Sequence, residues 1–434
     1  MSVFKEITPA MVRRTMRYRY VVFGIAAAAY FLVFFHRMST AVMAPDLSAD
    51  FGIDPAQVGL FGSMYFYAYA FFQLPCGLLA DRWGPRKTTS VFLLAAGIGS
   101  LLFGITDSFN MALVARFMVG LGLAFIYVSS MLLIAEWFSS KEYTTYVGVM
   151  VSIGNFGSLA ASAPLVAMIG AIGWRNSMVS IGLISILVAA LLYALVRNKP
   201  EEIGGADPNQ ISKTVSQPLP QMSITQVLKV LMKKREFWTL ALLMFGWAGT
   251  LLALHGLWFG PYLMNVYHLS KQQAGNLIMF IAIGAIIGSP LIGFITDKIA
   301  VPKKKLVMAG ALSMIIMLVF LIFFVDTMSL GFLTVMMFLF GIFGYTTMLE
   351  WTYLKEIVDF SMYGTASGII NFSGFLGGAV FQQVLGIIIA KAPVTNNYIA
   401  ASGFKSAFQF CFVYLIIALA IFSIKGKQSD KFRV

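Results

Sequence analysis

The 434 residues are 59% hydrophobic and only 11% charged, with a mean hydropathy of +0.83, which excludes an ordinary soluble globule. Thirty-one Lys and Arg against 18 Asp and Glu give a net charge of +13. In a soluble protein that balance would point to nucleic acid; here its distribution along the chain assigns it to membrane topology, and no nucleic-acid partner is expected.

A helix needs about 20 mostly apolar residues to span a bilayer. Twelve such runs begin near Tyr20, Gln57, Thr88, Phe109, Tyr146, Asn176, Phe237, Ala274, Leu306, Leu330, Gly364 and Phe404. They are continuous, without the alternation of a barrel strand, so the expected class is an all-α membrane protein. Four arginines, at 13, 14, 17 and 19, precede the first run without a small-residue cleavage pattern, so span 1 reads as a retained anchor. With both termini cytoplasmic, 25 of the 31 Lys and Arg fall in cytoplasmic segments. Arg175, Lys271, Lys391 and Lys405 fall outside, and Arg37 and Arg116 lie within spans. That bias fixes the orientation. The cysteines, Cys76 and Cys411, fall inside spans and read as small core residues.

The long polar interval, 197–236, holds Pro200, Gly204, Gly205, Pro208, Pro218 and Pro220. It divides the chain into six-helix bundles at 1–196 and 237–434. Within it Ile224, Val227, Leu228 and Leu231 recur at helical spacing among Lys229, Lys233, Lys234 and Arg235, predicting a short amphipathic helix on the inner leaflet.

The two halves repeat each other. An offset of 216 relates Pro45 to Pro261, Gln57 to Gln273, Gly59 to Gly275, Asp81 to Asp297 and Asn155-Phe156 to Asn371-Phe372. Glu136-Trp137 returns as Glu350-Trp351 at an offset of 214, so one short indel separates the registers. Parallel repeats of helical bundles are how many secondary transporters are built. In the repeat-related spans 5 and 11, Gly364/Gly368 and Gly374/Gly378 are small-xxx-small pairs that would let backbones approach closely, answering Gly148, Gly154 and Gly157.

A few polar residues stand inside the apolar runs. Arg37 lies about 25 Å along span 1 from Tyr20, past the midplane, which leaves two roles open: gripping a solute anion, or snorkelling to the outer face. Tyr30 stands seven residues earlier on the same face. Arg116 in span 4 suits a structural or coupling role. His36 and His255 could each be packed imidazoles or proton sites, and His255 could face a cavity from span 7. Asn155 and Asn371 need partners, from another helix or from a ligand. Tyr65, Tyr69 and Gln73 form a stripe on span 2 that could line a polar cavity or simply pack; Gln382 and Gln383 are lesser candidates. No Asp or Glu sits in the middle of a span. Glu136 and Glu350 fall near cytoplasmic ends and are assigned to gating or coupling. A proton-coupled carrier would have to use His36, His255 or Glu350, whereas exchange or uniport needs no such group.

These residues resemble the major facilitator superfamily over essentially the whole chain. Gly77-Leu-Leu-Ala-Asp81-Arg82-Trp-Gly84-Pro-Arg86-Lys87, between spans 2 and 3, resembles its most specific loop signature, with a degenerate copy around Asp297 between spans 8 and 9. Arg116-x-x-x-Gly120-x-Gly122 resembles a second, weaker signature. The resemblance implies twelve transmembrane helices in two pseudo-symmetric six-helix bundles. It also implies gating roles for Asp81, paired with Arg82, Arg86 or a helix start, and for Asp297.

Tyr30-Phe31-Leu32-Val33, Arg37 before Pro45, Trp137-Phe138-Ser139-x-Lys141-Glu142 and the Gly364–Gly378 glycines look like the organophosphate:phosphate and organic-anion carriers. In that branch an arginine on helix 1 and its repeat mate on helix 7 grip the phosphate. Arg37 fills the first place, but Ala253 fills the second, with His255 two residues on. This departure counts against a dianionic phosphate ester and leaves a monoanion, carboxylate or zwitterion.

The expected function is therefore secondary transport of a small anionic organic solute by alternating access, as an exchanger or facilitator. The partners would be the solute, the lipid bilayer, and protons or a counter-anion. Proton symport of a zwitterion, peptide or sugar stays open. A drug/proton antiporter is a rival, but such carriers tend to show Gly-Pro-x-x-Gly-Gly in helix 5, where this chain has Ala163-Pro164-Leu-Val-Ala167. A transporter-like sensor is a further alternative. No phosphate loop, metal-ligand cluster or nucleophile–base set supports an enzyme, a metal site or a cofactor. The expected setting is the inner membrane of a bacterium, where a monomer would suffice.

Overall fold

Residues 7–212, 224–298 and 301–424 are described in the computed structural model, and they are overwhelmingly helical. Span 1 is built from α1 (Pro9–Met38) and α2 (Thr40–Phe51), and span 2 is α3 (Pro55–Trp83). Span 3 is α4 (Pro85–Ile105), and span 4 joins α5 (Phe109–Ala124) to α6 (Ile126–Trp137). Span 5 starts as α7 (Tyr143–Ala160) and continues into α8 (Ala163–Leu195). The two spans within α8 are separated at Gly173, whose φ of 79° and ψ of 160° turn the chain where a side chain would be strained. The turn falls two residues before Arg175, the loop cation that parts spans 5 and 6 in the sequence.

Two short helices follow, α9 (Pro208–Ile211) and α10 (Ile224–Lys233). In α10, Val227 and Leu231 are buried while Leu228, Lys229 and Lys233 are exposed, an amphipathic pattern. Residues 213–223 and the Ile224 side chain lie outside the described set. Span 7 comprises α11 (Arg235–Ala253), a π-helical turn (Leu254–Trp258) and α12 (Phe259–Val266). Then come α13 (Lys271–Lys298) and α14 (Lys303–Phe323). Span 10 is α15 (Leu330–Gly344), a 3-10 turn (Tyr345–Met348) and α16 (Leu349–Ile357). Spans 11 and 12 are α17 (Tyr363–Ile389) and α18 (Ala401–Ser423), joined by a hairpin of β1 (Val394–Thr395) and β2 (Tyr398–Ile399).

Ten segments among the described residues are long and apolar enough to cross a membrane. The two remaining places in the order are held by α3 and by α7, whose Thr144, Thr145, Ser152, Asn155 and Ser158 make it more polar. The chain is an all-α, multi-pass membrane protein.

The helix interruption in span 1 follows the repeat. Span 1 breaks at Ser39, and 216 residues later His255 lies in the π turn of span 7. Spans 4 and 10 also both break, at Phe125 and at Tyr345–Met348, though not in the repeat register. Packing divides the chain into two compact units, Met1–Met38 with Phe71–Pro218 and Ser39–Ala70 with Leu219–Val434. The segment Ser39–Ala70, which the repeat counts with the first half, thus packs in the second unit.

In the first unit α1 lies close on α7, with Gly157 against the carbonyl of Phe31 and no room for a Cβ. In the second unit Gly59 of α3 faces Gly386 of α17 backbone to backbone, and Gly260 of α12 meets the carbonyl of Ala41. Ser63 Oγ donates to the Ala379 carbonyl at 2.7 Å, and Tyr67 Oη donates to Gln383 Oε1 at 2.9 Å. Lys271 Nζ reaches both Asp46 oxygens, at 2.6 and 2.7 Å. Of the two glycine pairs expected to pack, Gly374 and Gly378 do, against Ala248 and Leu252 of α11. Around Gly364 and Gly368 none of the described residues comes that close.

Candidate functional site

In the first unit the candidates gather on the last turns of α1. Arg37 is buried, 8% exposed, with its guanidinium carbon 4.7 Å from the centre of the Phe34 ring. Phe34 packs edge-on against Tyr30 at 5.3 Å, and Tyr30 lies 5.8 Å from Tyr127 of α6. Gly154 of α7 admits both Phe34 and Tyr30 at a separation a side chain would close. Beside it Asn155 Oδ1 and Ser158 Oγ, one turn apart, are buried without a hydrogen-bond partner among the described residues. Such groups are costly unless water or a ligand satisfies them. Arg116 of α5 donates to the carbonyl of His36 at 2.9 Å. The result is a cation, an aromatic wall and polar atoms in want of a partner, a combination suited to an organic anion.

The second unit carries its candidates around the π turn. His255 is buried, and its Nδ1 has no partner among the described residues. Trp258 Nε1 donates to the Gln382 carbonyl at 3.0 Å, and Gln382 Nε2 donates to the Leu252 carbonyl at 3.1 Å. That exchange between α17 and the turn satisfies groups that a π turn leaves outside the regular helix ladder. Gln382 Oε1 is left over. Tyr65 and Tyr69 stack at 5.9 Å, and Tyr69 lies 4.2 Å from Phe375 of α17, one turn beyond half-buried Asn371. The tyrosine stripe is thus buried against an aromatic ring.

Of the gating candidates, Asp81 and Arg82 are exposed at the C-terminal end of α3, with no ion pair between them or to Arg86 among the described residues. Arg86 is engaged elsewhere: its Nε donates to the Tyr193 carbonyl at 2.9 Å, its ring neighbour is Tyr193 at 4.9 Å, and its backbone N–H donates to Asn198 Oδ1 at 2.9 Å. Glu136 pairs with Lys199 at 3.5 Å, whereas its repeat mate Glu350 is buried with Oε2 unpartnered among the described residues. The side chain of Asp297 lies outside the described set.

Phe34, Tyr127, Ser158 and Phe375 were not singled out from sequence. Phe34 and Ser158 could have been, standing three residues from Arg37 and Asn155 on the same faces. Tyr127 and Phe375 carry no local signal, since only tertiary packing brings them to the site.

The match that names the class is to the Major Facilitator Superfamily, whose model covers residues 26–382. The chain belongs to that family, a family of transporters rather than enzymes. It is 22% identical over 404 residues to a probable sulfoacetate transporter, SauU, of Cupriavidus necator, covering 89% of this chain and 90% of that one. It is 23% identical over 403 residues to a hexuronate transporter of Bacillus subtilis, covering 91% and 93%. A probable hexose phosphate transport protein of Chlamydia trachomatis is 24% identical over 410 residues, covering 88% of each. Among solved structures, a bacterial homolog of the human lysosomal transporter Spinster, inward-facing and unoccupied, matches with a TM-score of 0.73 at 20% identity, over 93% of this chain and 96% of that one. That likeness establishes the fold.

Proposed function

We propose that this protein is a secondary transporter that moves a small anionic organic solute by alternating access of two six-helix bundles, 1–196 and 237–434, joined by 197–236. The observation that carries the reading is Arg37: a buried guanidinium over the Phe34 ring, in a helix that breaks two residues later, with Tyr30 packed on Phe34 and the unsatisfied Asn155 next in sequence to the Gly154 that meets both rings. The planar guanidinium fork suits a carboxylate or sulfonate. Relatives named for sulfoacetate, hexuronate and hexose phosphate support an anion. With Ala253 at the repeat mate of Arg37, one strong cationic anchor favours a monoanion or carboxylate; His255 and Asn371 are kept as further candidate solute contacts.

Exchange of one anion for another is the mode this anchor supports. The gating set is Asp81, Arg82, Arg86, Arg116, Glu136, Asp297 and Glu350. The protein acts as a monomer in a bacterial inner membrane with both termini cytoplasmic. A second reading, proton-coupled symport, is favoured by Glu350, whose unpartnered carboxyl oxygen could take up a proton.

The test is thermal unfolding of the purified protein against phosphate esters, mono- and dicarboxylates, sulfonates, amino acids, dipeptides and neutral sugars, with Arg37→Ala in parallel. An anion is expected to stabilise the wild type and not a folded Arg37→Ala. Stabilisation of both by neutral or cationic compounds alone would sink the anion reading.

A further inference from the structure

The cytoplasmic start of α1 carries a feature that transport does not use. Two adjacent helical rows run down one side of it: Arg13, Arg17 and Val21 at intervals of four, and Arg14 and Tyr18 beside them. Together with Thr8 these residues line a cavity of about 750 Å³ in which none of the described lining residues is acidic.

Its wall is fixed rather than loose. Arg14 Nη1 donates to the Ile203 carbonyl at 2.7 Å, Tyr18 Oη donates to the Leu195 carbonyl, and the Tyr18 ring lies 5.6 Å from Trp137. Arg13 and Arg17 are exposed, and neither has a hydrogen-bond or ion-pair partner among the described residues. At the other end Val21 is exposed beside Tyr20, where the apolar run of span 1 begins. Arg13 and Val21 are about 12 Å apart along the helix. The cavity therefore offers paired cations at one end and an apolar, lipid-level surface at the other.

We propose that this cavity is a binding site for an anionic phospholipid of the cytoplasmic leaflet, with its phosphate on Arg13 and Arg17 and its acyl chain along Val21. Basic residues just cytoplasmic of a transmembrane helix attract anionic headgroups by about 1 kcal/mol each. A fixed cavity converts that diffuse attraction into a site. A free phosphate would use the same cations but gain nothing from Val21, and the experiment separates the two sources.

The full-length protein, purified in detergent, is titrated with phosphatidylglycerol, phosphatidylcholine or inorganic phosphate while thermal unfolding is followed. Phosphatidylglycerol is expected to raise the melting temperature, with the other two inert. The variant Arg13→Gln/Arg17→Gln should weaken the apparent affinity for phosphatidylglycerol roughly tenfold to thirtyfold. Arg13→Lys/Arg17→Lys should keep most of it. Equal stabilisation by phosphatidylcholine, an unchanged response in the Gln variant, or a phosphate response as large as that to phosphatidylglycerol overturns the proposal. Should the Gln variant not fold, native mass spectrometry of the wild type decides: retention of phosphatidylglycerol over phosphatidylcholine supports the site, and equal retention overturns it.

Discussion

Arg116 donates from its guanidinium to the carbonyl of His36, 2.9 Å away, and so closes the end of α1 immediately before Arg37. The last carbonyls of a helix lack intrahelical partners, and here a buried arginine from α5 supplies one. Arg116→Ala is expected to cost about 1.5–3 kcal/mol, lowering the melting temperature. It should also weaken solute binding indirectly, by loosening the turn that holds Arg37. Arg116→Lys should recover part of both. A loss of affinity with an unchanged melting temperature would make Arg116 a direct ligand instead.

Arg37→Lys keeps the charge and loses the planar fork. The expected result is a solute affinity reduced about tenfold, or 1.4 kcal/mol, in a titration followed by tryptophan fluorescence or calorimetry. Arg37→Ala should abolish the response. An unchanged affinity in Arg37→Lys would argue for simple charge attraction rather than shaped recognition.

Asp46 and Lys271 make the bidentate pair of the second unit, both side chains mostly shielded from solvent. Removing either partner should destabilise the protein by about 1 kcal/mol. Charge reversal at one site, Asp46→Lys or Lys271→Asp, should cost more than neutralisation, and the double reversal should restore most of the loss. A double-mutant cycle on melting temperature reads the coupling directly.

Glu142 gives a pH dependence with a definite sign. Burial pushes its carboxyl upward, but hydrogen bonds from the Ser139 side chain and backbone, together with the charge of Arg19, outweigh burial and hold it below the usual carboxylate range. Arg19 lies 3.0 Å away. A depressed native value means stability that is fully present above the unfolded value, about 4.3, and is lost as pH falls through the native one. Wild type should therefore be more stable than Glu142→Gln at neutral pH, and the gap should close as the pH drops below 4. A gap that is constant with pH would assign the effect to packing.

Glu350 separates exchange from proton coupling. Glu350→Gln keeps the size of a buried side chain whose Oε2 has no partner among the described residues, so the fold should survive. As an exchanger, the variant should retain counterflow in proteoliposomes and show the wild-type response to pH. If uphill uptake driven by a pH gradient disappears while counterflow persists, the protein is a symporter and Glu350 carries its proton.

The repeat, the helical spans and Arg37 were legible because apolar run length, register offsets and an isolated intramembrane charge are local properties of a sequence. The breaks at Ser39 and at Leu254–Trp258 were not, since no proline falls in either and the backbone at Ser39 keeps helical angles. Gly364 and Gly368 have the spacing of a close-packed seam, yet none of the described residues packs against them. Spacing states which residues share a face, not whether another helix lies there. For the same reason the tyrosine stripe of α3 could be read but its burial against Phe375 could not.

Span 1 changes allegiance at its break: Met38 ends its segment of one packing unit and Ser39 begins a segment of the other, two residues after Arg37. The backbone at Ser39 keeps helical angles, φ −60° and ψ −28°, so the break is a lapse in the hydrogen-bond ladder rather than a turn of the chain. A helix can thus lose a rung beside a buried cation and still carry its side-chain faces onward in register.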